Sequence, residues 1–302
     1  MSSVPNLHNE AGKFSAAHYP GRAKRDRFDR FFKGLCFAAC IAACLILVVL
    51  LGKLLFDGLP RISADFITRP PSEIARRAGI LTPLMGSLFV MLLTMAFVVP
   101  VGVLAAIYLE ELTPKKTPLI RFIQLNIANL AGVPSIVFGM LGLALFVVLL
   151  GMDKHILTGA LTMSILVLPM VILVSQEALK AVPRNYREAS LAMGCTTWQT
   201  VRRIVLPVAL PGILTGVILA AARAIGETAP LIVVGAVGLV TSLPTAVTDR
   251  YTVLPLQILD WSQRPNPDFR TNAAGAIVAL MIMLLILNSA AIFIRARAQR
   301  RL

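Results

Sequence analysis

The chain has 302 residues, of which 57% are hydrophobic and 15% charged, and its mean hydropathy is +0.79. That balance excludes an ordinary soluble domain and points to a membrane protein. The formal net charge of +14 suits nucleic acid in a soluble chain, but in a chain crossing a membrane repeatedly a basic excess reports topology, so no nucleic-acid partner is read from it.

Uncharged runs cover 34–52, 78–109, 122–152, 156–176, 204–222 and 271–294. About 20 apolar residues span a hydrocarbon layer of about 30 Å, so six spanning helices are expected, the fifth continuing past Arg223 toward residue 233. With the N-terminus inside, the inner segments hold nineteen Lys and Arg and the outer loops eight, which predicts that both termini are cytoplasmic. Three regions follow: a basic cytoplasmic tail over 1–33, a transmembrane domain over 34–294, and a basic cytoplasmic tail over 295–302.

The first 33 residues are polar and the first apolar run lacks a cleavage site, so that run is expected to be retained as an anchor. The opening 21 residues show no periodicity and carry no functional assignment. The first helix is expected over 34–56, with Lys53 snorkelling at its outer end. Cys36, Cys40 and Cys44 share one face of it at a spacing of four and read as small packing residues rather than metal ligands; Cys36, beside the basic flank, is also open to acylation. With Cys195 they form no disulfide framework.

In the second run Pro83 suits a helix start and Pro100 a kink. The third run contains "ANLAGVPSIVFGMLG", where Gly132, Pro134, Ser135 and Gly139 fall together in a segment too long for one untilted crossing. It reads either as backbone broken beside a translocation path or as a packing notch for a neighbouring helix. His155 sits in the following turn and reads as an interfacial residue. The fourth helix is expected over 156–178.

The next inner segment is more patterned than a connector needs to be. "PRNYREASLAM" reads as a short helix ended by Gly194, the residue best able to adopt a left-handed backbone, and Thr196 or Thr197 can cap a second helix, "WQTVRRIVL". In the fifth run, Arg223 and Glu227 stand four residues apart in otherwise lipid-soluble sequence. Charges there persist when they face a path or a protein interior, so the two read as pathway groups or as a mutually neutralising structural pair. The segment 241–271 is apolar yet broken by Pro244, Pro255, Pro265 and Pro267. It is expected to form a partly embedded outer lid, anchored at the interface by Tyr251 and Trp261.

Glu188, Ala189, Gly194, Ile204, Leu206 and Pro207 stand at the spacing of the EAA loop of bacterial ABC importer permeases, E-A-A, three residues, G, nine residues, I, one residue, L-P. Ser190 replaces the second alanine. "ARAIGETAPL" (222–231), "GVPSIVFG" (132–139) and "VLPLQILDW" (253–261) resemble the PstA-type permeases of the phosphate-specific Pst transporter, and the resemblance covers roughly residues 80–295. It implies an all-α integral membrane protein with six transmembrane helices and the MetI-like (type I) importer permease fold. It also implies a coupling loop over 184–207 that docks on a cytosolic ATPase, and a phosphate path through Arg223, Glu227, Thr228 and Ser135. In that path Glu227 either positions Arg223 or accepts a hydrogen bond from protonated phosphate.

The implied partners are a second permease subunit, two ATPase subunits, an extracytoplasmic phosphate-binding protein and membrane lipid, in a bacterial inner membrane. The chain has no G-x-x-x-x-G-K-[ST], H-E-x-x-H or G-x-S-x-G, so it is expected to be no enzyme and to hold no cofactor or metal, with ATP hydrolysed by its partners. A permease for molybdate or sulfate, and a membrane scaffold in phosphate signalling, are the competing readings.

Overall fold

The computed structural model describes residues 22–113, 117–236 and 239–299, and their side chains except those of residues 22–27, 294, 298 and 299. The opening 21 residues, Lys115, Lys116, Arg300 and Arg301, which entered the charge count, lie outside the described residues. The chain divides into two units, Met1–Lys53 and Leu54–Leu302.

In the first unit, helix α1 (Arg22–Gly58, ending just inside the second unit) begins well before the expected residue 34. The sequence "RFDRFFK" explains the difference: Phe28 and Phe32, one helical turn apart, stack with ring centroids at 6.5 Å, the spacing at which aromatic pairs favour helix. The basic flank therefore continues the apolar helix instead of ending before it.

The second unit contains the short α2 (Ala64–Thr68), α3 (Leu81–Ile107), α4 (Pro118–Leu130), α5 (Ser135–Gly142) and α6 (Ile156–Lys180), followed by the short pair α7 (Arg184–Ala192) and α8 (Thr197–Thr200). It continues with α9 (Leu206–Ile225), α10 (Ala229–Val234), α11 (Leu254–Gln263) and α12 (Asp268–Gln299). Among the described residues five helical stretches are long and apolar enough to cross a membrane, and six if the bent pair Pro118–Leu130 and Ser135–Leu149 counts as one span. Pro100 and Pro169 lie inside α3 and α6 without ending them.

Helix α6 packs against α3, α4, α5, α9 and α10. Val98 of α3, Met163 and Val171 of α6, Ala220 of α9 and Met283 of α12 close the middle of the bundle. Toward α7 and α8 a second apolar cluster joins Ile107, Leu109, Leu179, Val201 and Val205. At the opposite end Phe66, Trp261 and Phe269 form the third.

The segment expected as a lid is held down by its own backbone. The amides of Ile156 and Leu157 donate to the carbonyls of Asp249 and Val247 at 3.1 and 3.0 Å, so the loop caps the start of α6, whose first N–H groups have no partner within the helix. The Asp249 carboxylate accepts from the amides of Ala246 and Thr245 and from the Thr245 hydroxyl, and these bonds hold its carboxyl below the usual value. His155 accepts from the Thr158 amide through Nδ1 at 3.3 Å and is buried; it is the cap of α6 rather than an interfacial residue.

Tyr251 and Trp261 are likewise buried in protein, which corrects their expected place at the membrane interface. Trp261 lies between the rings of Phe66 and Phe269, at 6.2 and 6.4 Å, because α11 packs its apolar face onto α12. The Tyr251 ring occupies the space that a side chain at Gly159 would fill, a Cβ there colliding with its hydroxyl oxygen. That hydroxyl is buried without a hydrogen-bond partner among the described residues.

Gly159→Ala is therefore expected to destabilise the bundle by about 1–3 kcal/mol through overpacking. Tyr251→Phe, which removes an unpaired buried hydroxyl, is expected to unfold no earlier than the parent and to recover part of the Gly159→Ala loss, since the ring carbon Cζ would still crowd the new methyl group. Thermal unfolding of the purified single and double variants checks both statements.

Candidate functional site

Two regions carry the sequence candidates. The first is a cavity of about 400 Å³ where two spans are broken. Across 131–134 the chain turns by 106° between α4 and the stretch beginning at Ser135, because Pro134 cannot donate to a continuing helix and restricts the residue before it. The second break follows α9: Gly226 and Glu227 leave the helix after their amides reach the carbonyls of Arg223 and Ala224, both at 3.1 Å. Pro230 then starts α10 in its first turn. The expected helix through residue 233 is thus two helices with a link at 226–228.

The two stretches beyond the breaks pack on each other, α10 against α5, with Pro230 against Gly139 where a Cβ would fall 2.7 Å from the proline Cα. Gly132, Ser135 and Phe138 form one wall of the cavity, Leu166 and Met170 of α6 a second, and Arg223 and Glu227 the third. Arg223 Nε stands 3.9 Å from Glu227 Oε1, with the arginine side chain 64% exposed and the glutamate 21%. The pair forms because the chain turns after Ile225, and not because both residues share one helix face. Thr228 is outside the cavity lining; its hydroxyl faces the Gly226 carbonyl at 3.5 Å. Ser135 is at the cavity and Thr228 is not. Among the described residues no His, Cys, Asp and Glu groups are clustered for a metal.

The second region is the corner made by α7 and α8. Gly194 has φ +81° and no atom within 4 Å of where a Cβ would stand, so its requirement is conformational alone. Thr196 accepts from the Gln199 amide while the Gln199 side chain accepts from the Thr196 amide, a reciprocal cap on α8. Ser190, the departure from the second alanine, is buried and shares a hydrogen bond of 2.9 Å with Thr200. Its hydroxyl fastens α7 to α8.

Glu188 and Ala189 are exposed, as are the apolar side chains of Tyr186, Leu191, Met193 and Trp198 around them. Ile204, Leu206 and Pro207 are half-buried and root the second arm in the bundle instead of facing outward. From Thr197 the chain runs through a π-helical turn at Val201–Val205 into α9 as one stretch to Ile225. The corner and the cavity are therefore opposite ends of a single rod.

Sequence reading missed Arg187 and Glu111. The Arg187 guanidinium grips both carboxylate oxygens of Glu111, Nε to Oε2 at 3.1 Å and Nη2 to Oε1. It also donates to the carbonyls of Val182 at 2.7 Å and Leu179 at 2.9 Å. This fork raises the arginine pKa above its ordinary value, against the opposing effect of burial. Seventy-six residues separate the partners, and only the adjacency of Arg187 to Glu188 could have drawn notice to it.

Residues 98–302 match the family described as binding-protein-dependent transport system inner membrane component. The chain is similar to the probable ABC transporter permease protein YqgI of Bacillus subtilis, with 36% identity over 85% of this chain and 90% of that one. It is similar to the phosphate transport system permease protein PstA of Haemophilus influenzae, 31% identical over 87% and 92% of the two chains. The corresponding figures for PstA 1 of Mycobacterium tuberculosis are 35%, 76% and 74%. Among solved structures, a bacterial alginate ABC transporter in complex with a pentasaccharide-bound periplasmic protein superimposes with a TM-score of 0.64 at 15% identity, over 89% of this chain and 94% of that one. An inward-facing form of the MetNI methionine ABC transporter gives 0.56 at 21% identity, over 73% and 94%. At these identities the structural likeness speaks for the fold.

Because the space around Gly194 is open, only backbone strain distinguishes substitutions there. Gly194→Val is expected to speed amide hydrogen exchange across 184–205 about tenfold, while Gly194→Asn, a residue tolerant of the left-handed region, changes it by about twofold or less. Equal effects of the two variants would contradict the strain argument.

Proposed function

The chain belongs to the family of binding-protein-dependent transport system inner membrane components, and on that premise we propose that it is one transmembrane half of an ATP-driven importer for inorganic phosphate. The observation that carries the reading is Arg223, a largely exposed guanidinium on a spanning helix, standing over a cavity at the junction of two broken spans. A charged side chain costs about 2.5–3.5 kcal/mol or more at membrane depth when it faces lipid. Its exposed side therefore belongs against protein or water, which calls for a second permease to complete the path.

A guanidinium matches the oxygens of phosphate as a planar fork, and Ser135 at the first turn of α5 adds a neutral donor. Glu227 offsets the arginine charge, so that the anion is held weakly enough to leave, and accepts a hydrogen bond from protonated phosphate, which fully deprotonated sulfate lacks. Relatives bearing the name of phosphate transport favour this anion over molybdate or sulfate. Thr228 enters the path only if the link at 226–228 changes shape.

At the other end of the α9 rod, Glu188, Ala189 and the apolar collar of Tyr186, Leu191, Met193 and Trp198 form the surface for the ATPase. Closure of the ATPase dimer on ATP moves this corner and, through the continuous stretch Thr197–Ile225, the arginine end. The chain binds no cofactor; two ATPase subunits hydrolyse ATP, an extracytoplasmic phosphate-binding protein delivers the anion, and both termini are cytoplasmic in a bacterial inner membrane.

Uptake of labelled phosphate in cells lacking their own such subunit tests the reading. The parent is expected to restore uptake that sulfate and molybdate do not compete, and Arg223→Ala to reduce it about 100-fold, in line with loss of a charge-assisted contact to the anion. Glu227→Gln is expected to admit sulfate as a competitor. Full uptake by Arg223→Ala would remove the arginine from the path, and uptake blocked by molybdate in the parent would move the substrate to another oxyanion.

A further inference from the structure

The corner is joined covalently to α9 through α8 and to α6 through the turn at 181–183, but to α3 only through side chains. The polar link in that direction is Arg187. Its Nε and Nη2 hold the carboxylate of Glu111, at the end of the span that begins with α3, while Nη2 also holds the Leu179 carbonyl in the last turn of α6 and Nη1 the Val182 carbonyl in the turn that follows it. Glu111 is 8% exposed and Arg187 22%, so bulk water screens the pair weakly. Four directed bonds from one planar group fix the angle of α7 against both spans, something a flexible ammonium cannot reproduce. One of the three walls of the cavity, Leu166 and Met170, belongs to α6, and α3 packs along α6.

We propose that the Arg187–Glu111 pair is the pin that makes the α3–α6 pair move with the coupling corner, so that one ATPase stroke reaches two of the cavity's three walls: the arginine wall through the α9 rod, the α6 wall through Arg187. This rests on the coupling reading of the corner given above. Arg187 is a positioning residue; it is not among the residues that line the cavity. Without the pin the corner still engages the ATPase, but its motion is delivered to α9 alone and the two walls no longer move together.

The test uses the assembled importer in lipid nanodiscs, with spin labels at Asn185→Cys on α7 and Tyr108→Cys at the end of the α3 span, and the four native cysteines changed to serine. Both label sites are exposed and lie outside the docking collar. The parent is expected to give one narrow distance distribution, the same with and without bound ATP. Arg187→Met and Arg187→Lys are expected to broaden it and make it depend on nucleotide. In proteoliposomes the same variants are expected to lose about tenfold in phosphate uptake while ATP hydrolysis falls by about twofold or less.

A single substitution strands a buried charge and can weaken folding, so the double variant Arg187→Met with Glu111→Met is the deciding one. Replacing a buried ion pair with apolar groups of similar size commonly preserves stability. This variant is expected to melt like the parent and yet remain broad in distance and uncoupled in uptake. Parent-like distances, or uptake and hydrolysis falling in step, would overturn the pin. If the parent carries a different anion but the distances behave as stated, the phosphate reading fails and the pin stands. If the parent fails to co-purify with its ATPase, the coupling reading and the pin fail together.

Discussion

A peptide group inside a hydrocarbon layer must find its hydrogen-bond partner within the protein, and most of this structure follows from how that constraint is met where helices are broken. Breaks after Leu130 and after Ile225 free backbone groups at two places, and the chain brings both to the same cavity. Prolines sit just beyond each break, at 134 and 230, where the missing amide removes one group that would otherwise need a partner. The short helices that follow lean on each other through Gly139 and Pro230. Two interruptions, each costly alone, thereby support one another and leave room for a charged side chain.

That arrangement also settles why an arginine is tolerable there. Arg223 is the last-turn cation of α9, where the helix dipole favours positive charge, and Glu227 in the link lies within ion-pair reach. The distance of 3.9 Å and the exposure of the arginine describe a loose pair, unlike the tight bidentate grip of Arg187 on Glu111.

Connection between the far corner and this cavity runs along two routes of different kind. One is a helix uninterrupted from Thr197 to Ile225, apart from its π-helical turn. The other is a set of side-chain bonds, Arg187 to Glu111 and to the end of α6, with Ser190 fastened to Thr200 behind them. Serine in place of the motif alanine thus adds a bond between the two arms. Gly194 provides the turn between them, Thr196 and Gln199 the cap, and the half-buried Ile204, Leu206 and Pro207 the anchorage.

The sequence by itself determined the membrane class, the apolar runs long enough to span, and the glycine corner with its threonine cap, because each depends on local signals: unbroken apolar length, positive-φ glycine, a hydroxyl before a helix. It left Gly132–Pro134 open between a backbone break and a packing notch, and the fold shows the break. The sequence also located Arg223 and Glu227, since charge in lipid-soluble sequence is conspicuous without any fold. Only tertiary structure decided that Glu227 leaves the helix, that Thr228 stays out of the cavity, and that Tyr251 and Trp261 are core residues. It alone revealed the bond between Glu111 and Arg187. Those facts depend on which distant segments come to lie together: α11 on α12, α10 on α5, the end of one span on the start of α7. A pattern with a period of a few residues carries local geometry, whereas contacts across 76 positions are set by the packing of whole helices.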